Sequence, residues 1–328
     1  MVPPDYAFTI PSLFDAIPID CRVYIPKHPS YRIASTIKGA IFAHPYGPLG
    51  GSYDDFVVLA VTKCLLQQGF IVATFNFRGA GASAGKTSWT GRPEADDYAS
   101  IVGFMCFYLD HLSECFSQSS GHSAAHQLVL GGYSFGSLIV AKLPSVSEIV
   151  ERFDSKERSD SASVILDRAL TLGTRSAERL TAEHSNPSRM RSTATETSAP
   201  VKFNKHITFE IEVRYLLVSP VLVPFSTILP PVGAPSLLAL LGMHDSAASE
   251  AKGTGFMSLL TSTLVTFGTS DNFTSAKRLR QWTERLARRS DGRLQWFALD
   301  DAGHFWREEG AITTLQSRIM KWVSEPTY

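Results

Sequence analysis

The sequence carries no surplus of either charge: 31 lysines and arginines stand against 31 aspartates and glutamates. A chain without a basic excess has no general electrostatic attraction for nucleic acid or for an anionic membrane surface. Long apolar runs are missing too, since none reaches the roughly 18 residues that a membrane-spanning helix needs. Cysteine is sparse. Cys21, Cys64, Cys106 and Cys115 lack any paired CxxC spacing, which argues for reduced structural thiols rather than a metal site or a disulfide framework. The opening stretch MVPPDYAFTIPSLFDAIPID has neither a basic n-region nor an apolar h-region, so the expected location is cytoplasmic. There is no internal repeat.

What the sequence does contain is enough apolar material for a full core, at 44% of 328 residues, and a regular alternation of patterns. Short apolar runs alternate with amphipathic stretches, the pattern of a parallel sheet covered by helices. KGAIFAHP, FIVATFNF, QLVLGGYSFGS, RYLLVSPVLV, STLVTFGTSD and LQWFALDDAGH read as strands. DDFVVLAVTKCLLQQG, PEADDYASIVGFMCFYLDHL, SAKRLRQWTERLARR and AITTLQSRIMKWV read as helices. Pro93 opens the second of these helices, and Gly69 stops the first. FTIPSLFDAIPIDCRVYIPK suggests a hairpin at the sheet edge.

Two segments break the rhythm. Residues 144–206 are rich in Ser, Thr and charge, with Phe153 the only aromatic before Phe203. The expectation is a polar surface insertion outside the core, partly disordered, with one helix around 160–183 and room for a protein partner. Residues 223–258 are apolar, rich in Pro and Gly and nearly free of charge. Such a segment is expected to cap something. The whole, residues 1–328, reads as one α/β domain: a mostly parallel central sheet with helices on both faces, a cap segment and one insertion.

GGYSFGS carries the chemistry. Gly132-Tyr133-Ser134-Phe135-Gly136 fits G-x-S-x-G, placed between an apolar strand and the helical SLIVAKL. In that context the serine sits on a sharp strand-to-helix turn with its hydroxyl exposed. A serine nucleophile needs a base, and the base an orienting acid. Asp271 follows one strand directly, and His304 lies just past the last strand. Both therefore fall at carboxyl ends of strands, on the edge that bears Ser134. Asp300 and Asp301 remain rival acids, and His244-Asp245 falls within the cap segment. Two N–H donors must face the developing oxyanion. Phe135 supplies one. The other comes from AHPYGPLGGS, where Pro45 has no N–H, so Tyr46 is the first choice and Gly47 the second. His44 is expected to brace this loop.

The stretch NFRGAGASAGKTSW offers a competing reading. Gly85-Lys86-Thr87 ends like a phosphate-binding loop, but the glycine required at position 80 is Ala80, between Gly79 and Gly81. The next helix begins only near Pro93, so the strand–loop–helix frame is absent. The stretch reads instead as a Gly-rich turn beside the active-site edge, with Arg78 tying it by hydrogen bonds.

Taken together, HPYGPLGG, FNFRGAGASAG, GGYSFGS, GTSDNF and AGHFW resemble the α/β-hydrolase superfamily. The chain is similar to small bacterial and fungal hydrolases near the dienelactone-hydrolase and serine-aminopeptidase branches. The resemblance covers most of residues 8–143 and 207–325 and implies the α/β-hydrolase fold. It also implies Ser134 as nucleophile, Asp271 as acid and His304 as base, and its motifs are specific for fold and triad, not for substrate. With the Phe135 and Tyr46 amides as the oxyanion hole and no cofactor or metal expected, the apolar 223–258 segment argues for hydrolysis of a hydrophobic ester, thioester or amide. Acyl transfer, C–C hydrolysis and peptidase action share the same constellation, and a non-catalytic binding protein is the rival from another class.

Overall fold

In the computed structural model, residues 2–27, 36–88, 90–117, 125–154, 158–182, 211–222 and 261–326 are described. The cap segment 223–258 and His244-Asp245 lie outside them. The apolar runs become strands, and those in the middle of the sheet are buried on both faces. Strand β3 (Thr36–Ala43) sends Ile41 and Ala43 into one core and Ala40 and Phe42 into another, because successive side chains leave a strand on opposite sides.

The eight strands form one sheet. In chain order they are β1 (Tyr6–Pro11), β2 (Pro18–Tyr24), β3, β4 (Ile71–Phe75), β5 (Ala125–Tyr133), β6 (Ile211–Val218), β7 (Thr263–Gly268) and β8 (Leu294–Leu299). Their order across the sheet is β1-β2-β4-β3-β5-β6-β7-β8. The N-terminal hairpin pairs antiparallel with itself and with β4, so it extends the sheet, and β4 through β8 are parallel neighbours. The carboxyl ends of β5, β7 and β8 therefore share one edge.

Helix α1 (Phe56–Gln67) starts at Asp55, whose carboxylate accepts from the N–H groups of Val57 at 2.8 Å and Val58 at 3.4 Å. This satisfies donors that the first turn leaves unpaired. After its last turn, Gly69 takes φ +83°, a left-handed conformation that favours glycine. Helices α2 (Arg92–Ser117), α3 (Phe135–Val140), α4 (Val146–Glu151), α5 (Asp160–Ala182) and α6 (Ala276–Arg289) share one core, whereas α1 and α7 (Ala311–Ser324) share the other. Helices thus cover both faces. Among the described residues no helix is long and apolar enough to cross a membrane.

The described part of 144–206, residues 144–154 and 158–182, departs from the expectation of a surface insertion. Helix α5 was foreseen, but Ala162, Ile165, Leu166, Ala169, Leu172, Ala177 and Leu180 are buried in the main core. Together with buried Gly173 and Ser176, they recur every three or four residues and make a stripe along one face. The Tyr108 hydroxyl on α2 donates to Ser176 Oγ on α5 at 2.7 Å. Phe153 fills the place where Gly103 on α2 lacks a side chain; a Cβ there would lie 2.1 Å from the Phe153 ring. The charged residues between the apolar ones occupy the outer face. At least through Ala182, this stretch is a layer of the fold.

Candidate active site

Ser134 lies between β5 and α3 with φ 56° and ψ −113°, a backbone region that costs a non-glycine residue of order 1–3 kcal/mol. Its own N–H donates to the Val218 carbonyl at 2.8 Å. The turn can be this tight only with glycine on both sides. A Cβ on Gly132 would fall 2.3 Å from the Gly136 backbone, and one on Gly136 would fall 2.7 Å from the Ala43 carbonyl oxygen. The strain aims the hydroxyl at the strand-end edge.

There it meets His304. The Nε2 atom lies 2.9 Å from Ser134 Oγ, and Nδ1 lies 2.6 Å from Asp271 Oδ2. With Nδ1–H donating to the carboxylate, Nε2 is the atom that accepts from the serine. The other Asp271 oxygen accepts from the N–H groups of Phe273 at 2.7 Å and Thr274 at 3.1 Å, which fixes the carboxylate plane. Ser134, Asp271 and His304 are all buried. The loop bearing His304 is held at two points. The Tyr133 hydroxyl donates to the His304 carbonyl at 3.0 Å, and the indole N–H of fully buried Trp306 donates to Ser219 Oγ at 2.9 Å. The rival carboxylates stand apart: Asp300 is 86% exposed and pairs weakly with Arg280 at 3.9 Å, while Asp301 is exposed.

On the other side of the serine, Phe135 opens α3 and packs its ring against Tyr46, 5.3 Å between centroids. Tyr46 precedes the short turn Gly47–Leu49, and its carbonyl accepts from the N–H groups of Leu49 and Gly51. The two residues expected to flank an oxyanion are therefore neighbours, on loops from adjacent strands. His44 holds the Tyr46 loop in place. Its Nε2 accepts from the Phe77 N–H at 2.8 Å and its Nδ1 donates to the Pro45 carbonyl at 2.5 Å.

Burial pushes the His44 pKa down to about 4 from the ordinary 6.5. A folded pKa below the unfolded one means that the unfolded chain binds a proton the fold refuses. The associated stability is present above pH about 6.5 and drains away as pH falls toward 4, by about 3 kcal/mol in all. Urea unfolding between those two pH values should show His44→Gln losing less stability on acidification than the parent.

Residues 76–88 follow β4 as a long turn, with Gly79 at φ +74° and Gly81 at φ +54°. Arg78 anchors it through a two-pronged ion pair with buried Asp97, Nη2 to Oδ1 at 2.7 Å and Nε to Oδ2 at 2.9 Å, and a further pair with Asp15 at 3.0 Å. Lys86 is exposed at the rim. Lys86→Ala should change turnover less than tenfold, and ATP should give no thermal shift; clear stabilisation by ATP would restore the phosphate-loop reading.

No protein-family model matches the chain, and no curated protein matches its sequence. Among solved structures it resembles an α/β serine hydrolase without a lid from Xanthomonas campestris, at 17% identity and TM-score 0.51, covering 99% of this chain and 95% of that one. It also resembles an esterase of Pyrococcus furiosus at 13% identity and TM-score 0.52, covering 97% and 91%. The chain has the α/β-hydrolase fold. At such identities the likeness speaks for architecture alone, and the site must be argued from its own geometry.

Several neighbours of the site were not singled out from the sequence. Phe273 packs on the His304 ring at 4.3 Å, and Phe305 meets it edge-on at 5.4 Å. Asp55, besides capping α1, sits close enough to His304 and Arg307 for their charges to act on it; burial raises its carboxyl pKa and those charges oppose the rise. The aromatic pair had one signal, since Phe273 and Phe305 each stand within two residues of Asp271 or His304. Asp55 had none that separates it from a helix cap.

Proposed function

We propose that this protein is a serine hydrolase that cleaves a hydrophobic carboxylic ester or thioester through an acyl-enzyme. The observation that carries the reading is the unbroken chain from strained Ser134 through His304 to Asp271, at 2.9 Å and 2.6 Å. His304 Nε2 takes the proton of Ser134 Oγ as that oxygen forms a bond to the substrate carbonyl carbon. The amides of Phe135 and Tyr46 receive the developing negative charge. When the tetrahedral intermediate collapses, the bond to the leaving group breaks, and that group departs with the proton from Nε2. Water then repeats the steps, releasing the acid and restoring the serine. Asp271 holds the imidazole in the required tautomer and stabilises its positive charge.

None of these steps requires a metal or cofactor. The esterase from Pyrococcus furiosus is consistent with this reading through its fold. The four free cysteines fit a reducing, cytoplasmic location. A purely binding role is disfavoured, because a strained serine with a hydrogen-bonded base has a cost that binding alone does not require. The test is a panel of esters and acyl-CoA thioesters of varied chain length, with Ser134→Ala as control. Turnover of apolar members, abolished in the variant, is the expected result. A folded protein that turns over none of them would overturn the reading.

A further inference from the structure

The alcohol half of an ester must depart from beside His304, because its oxygen takes the proton from Nε2. Side chains that touch the imidazole and are open to solvent are the ones placed to meet the leaving group. Three aromatic side chains touch it: Tyr133, Phe273 and Phe305, with ring centroids 5.4, 4.3 and 5.4 Å from the imidazole. Tyr133 is buried and its hydroxyl is committed to the His304 carbonyl. Phe273 is half-buried, and Phe305 is 52% exposed.

An exposed phenyl directly following the base is not explained by the core, since packing gains nothing from surface left in water. Phe273 and Phe305 meet edge to face, 5.9 Å apart at 85°, and so form one continuous aromatic corner against the imidazole. The Arg307 guanidinium lies 6.0 Å over the Phe305 ring.

We propose that Phe273 and Phe305 form a leaving-group subsite, and that the preferred substrate is an ester of a bulky apolar alcohol, best one that carries an aromatic ring. The proposal rests on the hydrolase reading of Ser134 and His304. In the acylation step the acyl carbon gains its bond to Ser134 Oγ and loses its bond to the alcohol oxygen. That oxygen takes the Nε2 proton and the neutral alcohol leaves across the two rings. Edge-to-face contact of a substrate ring with Phe305 favours this step by about tenfold. Deacylation is untouched, because the alcohol has gone before water attacks.

The test compares kcat/KM for the ethyl and 2-phenylethyl esters of the best-accepted acyl group. The parent enzyme should favour the phenylethyl ester about tenfold or more. Phe305→Ala should erase about tenfold of that ratio, whatever it does to the ethyl ester, and Phe305→Tyr should keep the preference. Phe273→Ala should lower both esters, because it also loosens the imidazole, and should lower the phenylethyl ester more. Should Phe305→Ala misfold, inhibition of the parent by 2-phenylethanol decides: competition at concentrations where ethanol has no effect supports the subsite, and equal inhibition by the two alcohols overturns it. Hydrolysis without alcohol preference, or an unchanged ratio in Phe305→Ala, overturns the subsite alone. Failure to hydrolyse any ester overturns the hydrolase reading beneath it.

Discussion

Ser134→Ala and His304→Ala should each lower turnover by about 10⁴- to 10⁶-fold, and the double variant should be hardly worse than either single one. The reason is the shared proton. His304 Nε2 has no serine to deprotonate in one variant, and Ser134 Oγ has no acceptor in the other, so either loss removes the whole route. Asp271→Asn should cost less than losing the serine, since it misorients the imidazole and weakens its support without removing the attacking atom. Stability should move the other way. Ser134 holds φ 56°, and Ser134→Gly relieves that backbone strain, so this variant should be as stable as the parent or more stable by about 1 kcal/mol. Ser134→Ala keeps its Cβ and should leave stability near the parent value. Steady-state kinetics beside urea unfolding would separate the two effects. Retention of more than about a tenth of the activity in Ser134→Ala would contradict the assignment.

The second large effect belongs to α5. Deleting residues 146–182 should abolish soluble expression, because it uncovers the α2 face bearing Gly103, Phe107 and Tyr108 and removes a buried stripe. Point changes give a graded version of the same result. Ile165 is fully buried and Leu172 is 3% exposed; replacing either with alanine should cost about 2–5 kcal/mol, the spread reflecting how far the cavity collapses. Val164→Ala on the same helix, where the side chain is 51% exposed, should cost less than about 0.5 kcal/mol. Equal effects at positions 164 and 165 would mean that the helix does not pack as described.

That helix also marks where the sequence was hard to read. The sheet was legible because its strands are continuous apolar runs, and the meeting of Ser134, Asp271 and His304 was legible because each follows the carboxyl end of one of them within a few residues. The nearness of Tyr46 to Phe135 followed from the adjacent strands that their loops leave. The α5 stripe was hidden for a physical reason. It is built from alanine, leucine and isoleucine at helical spacing, with Ser, Thr, Arg, Asp and Glu filling most outward positions, so its composition resembles a solvated segment while its periodicity does not. Weight given to periodicity over composition would have placed it in the core. Asp55 was invisible for another reason: its nearness to His304 and Arg307 brings together two loops about 250 residues apart in sequence, and nothing local encodes it.

If Ser134 is the activated nucleophile, a fluorophosphonate probe followed by peptide mass spectrometry will find it. The probe reacts with a serine whose proton is drawn away by a base and needs no knowledge of the natural substrate. The expected result is a single adduct on the peptide containing Ser134, lost in Ser134→Ala and strongly slowed in His304→Ala. A folded protein left unlabelled, or labelled on any other residue, would contradict the account.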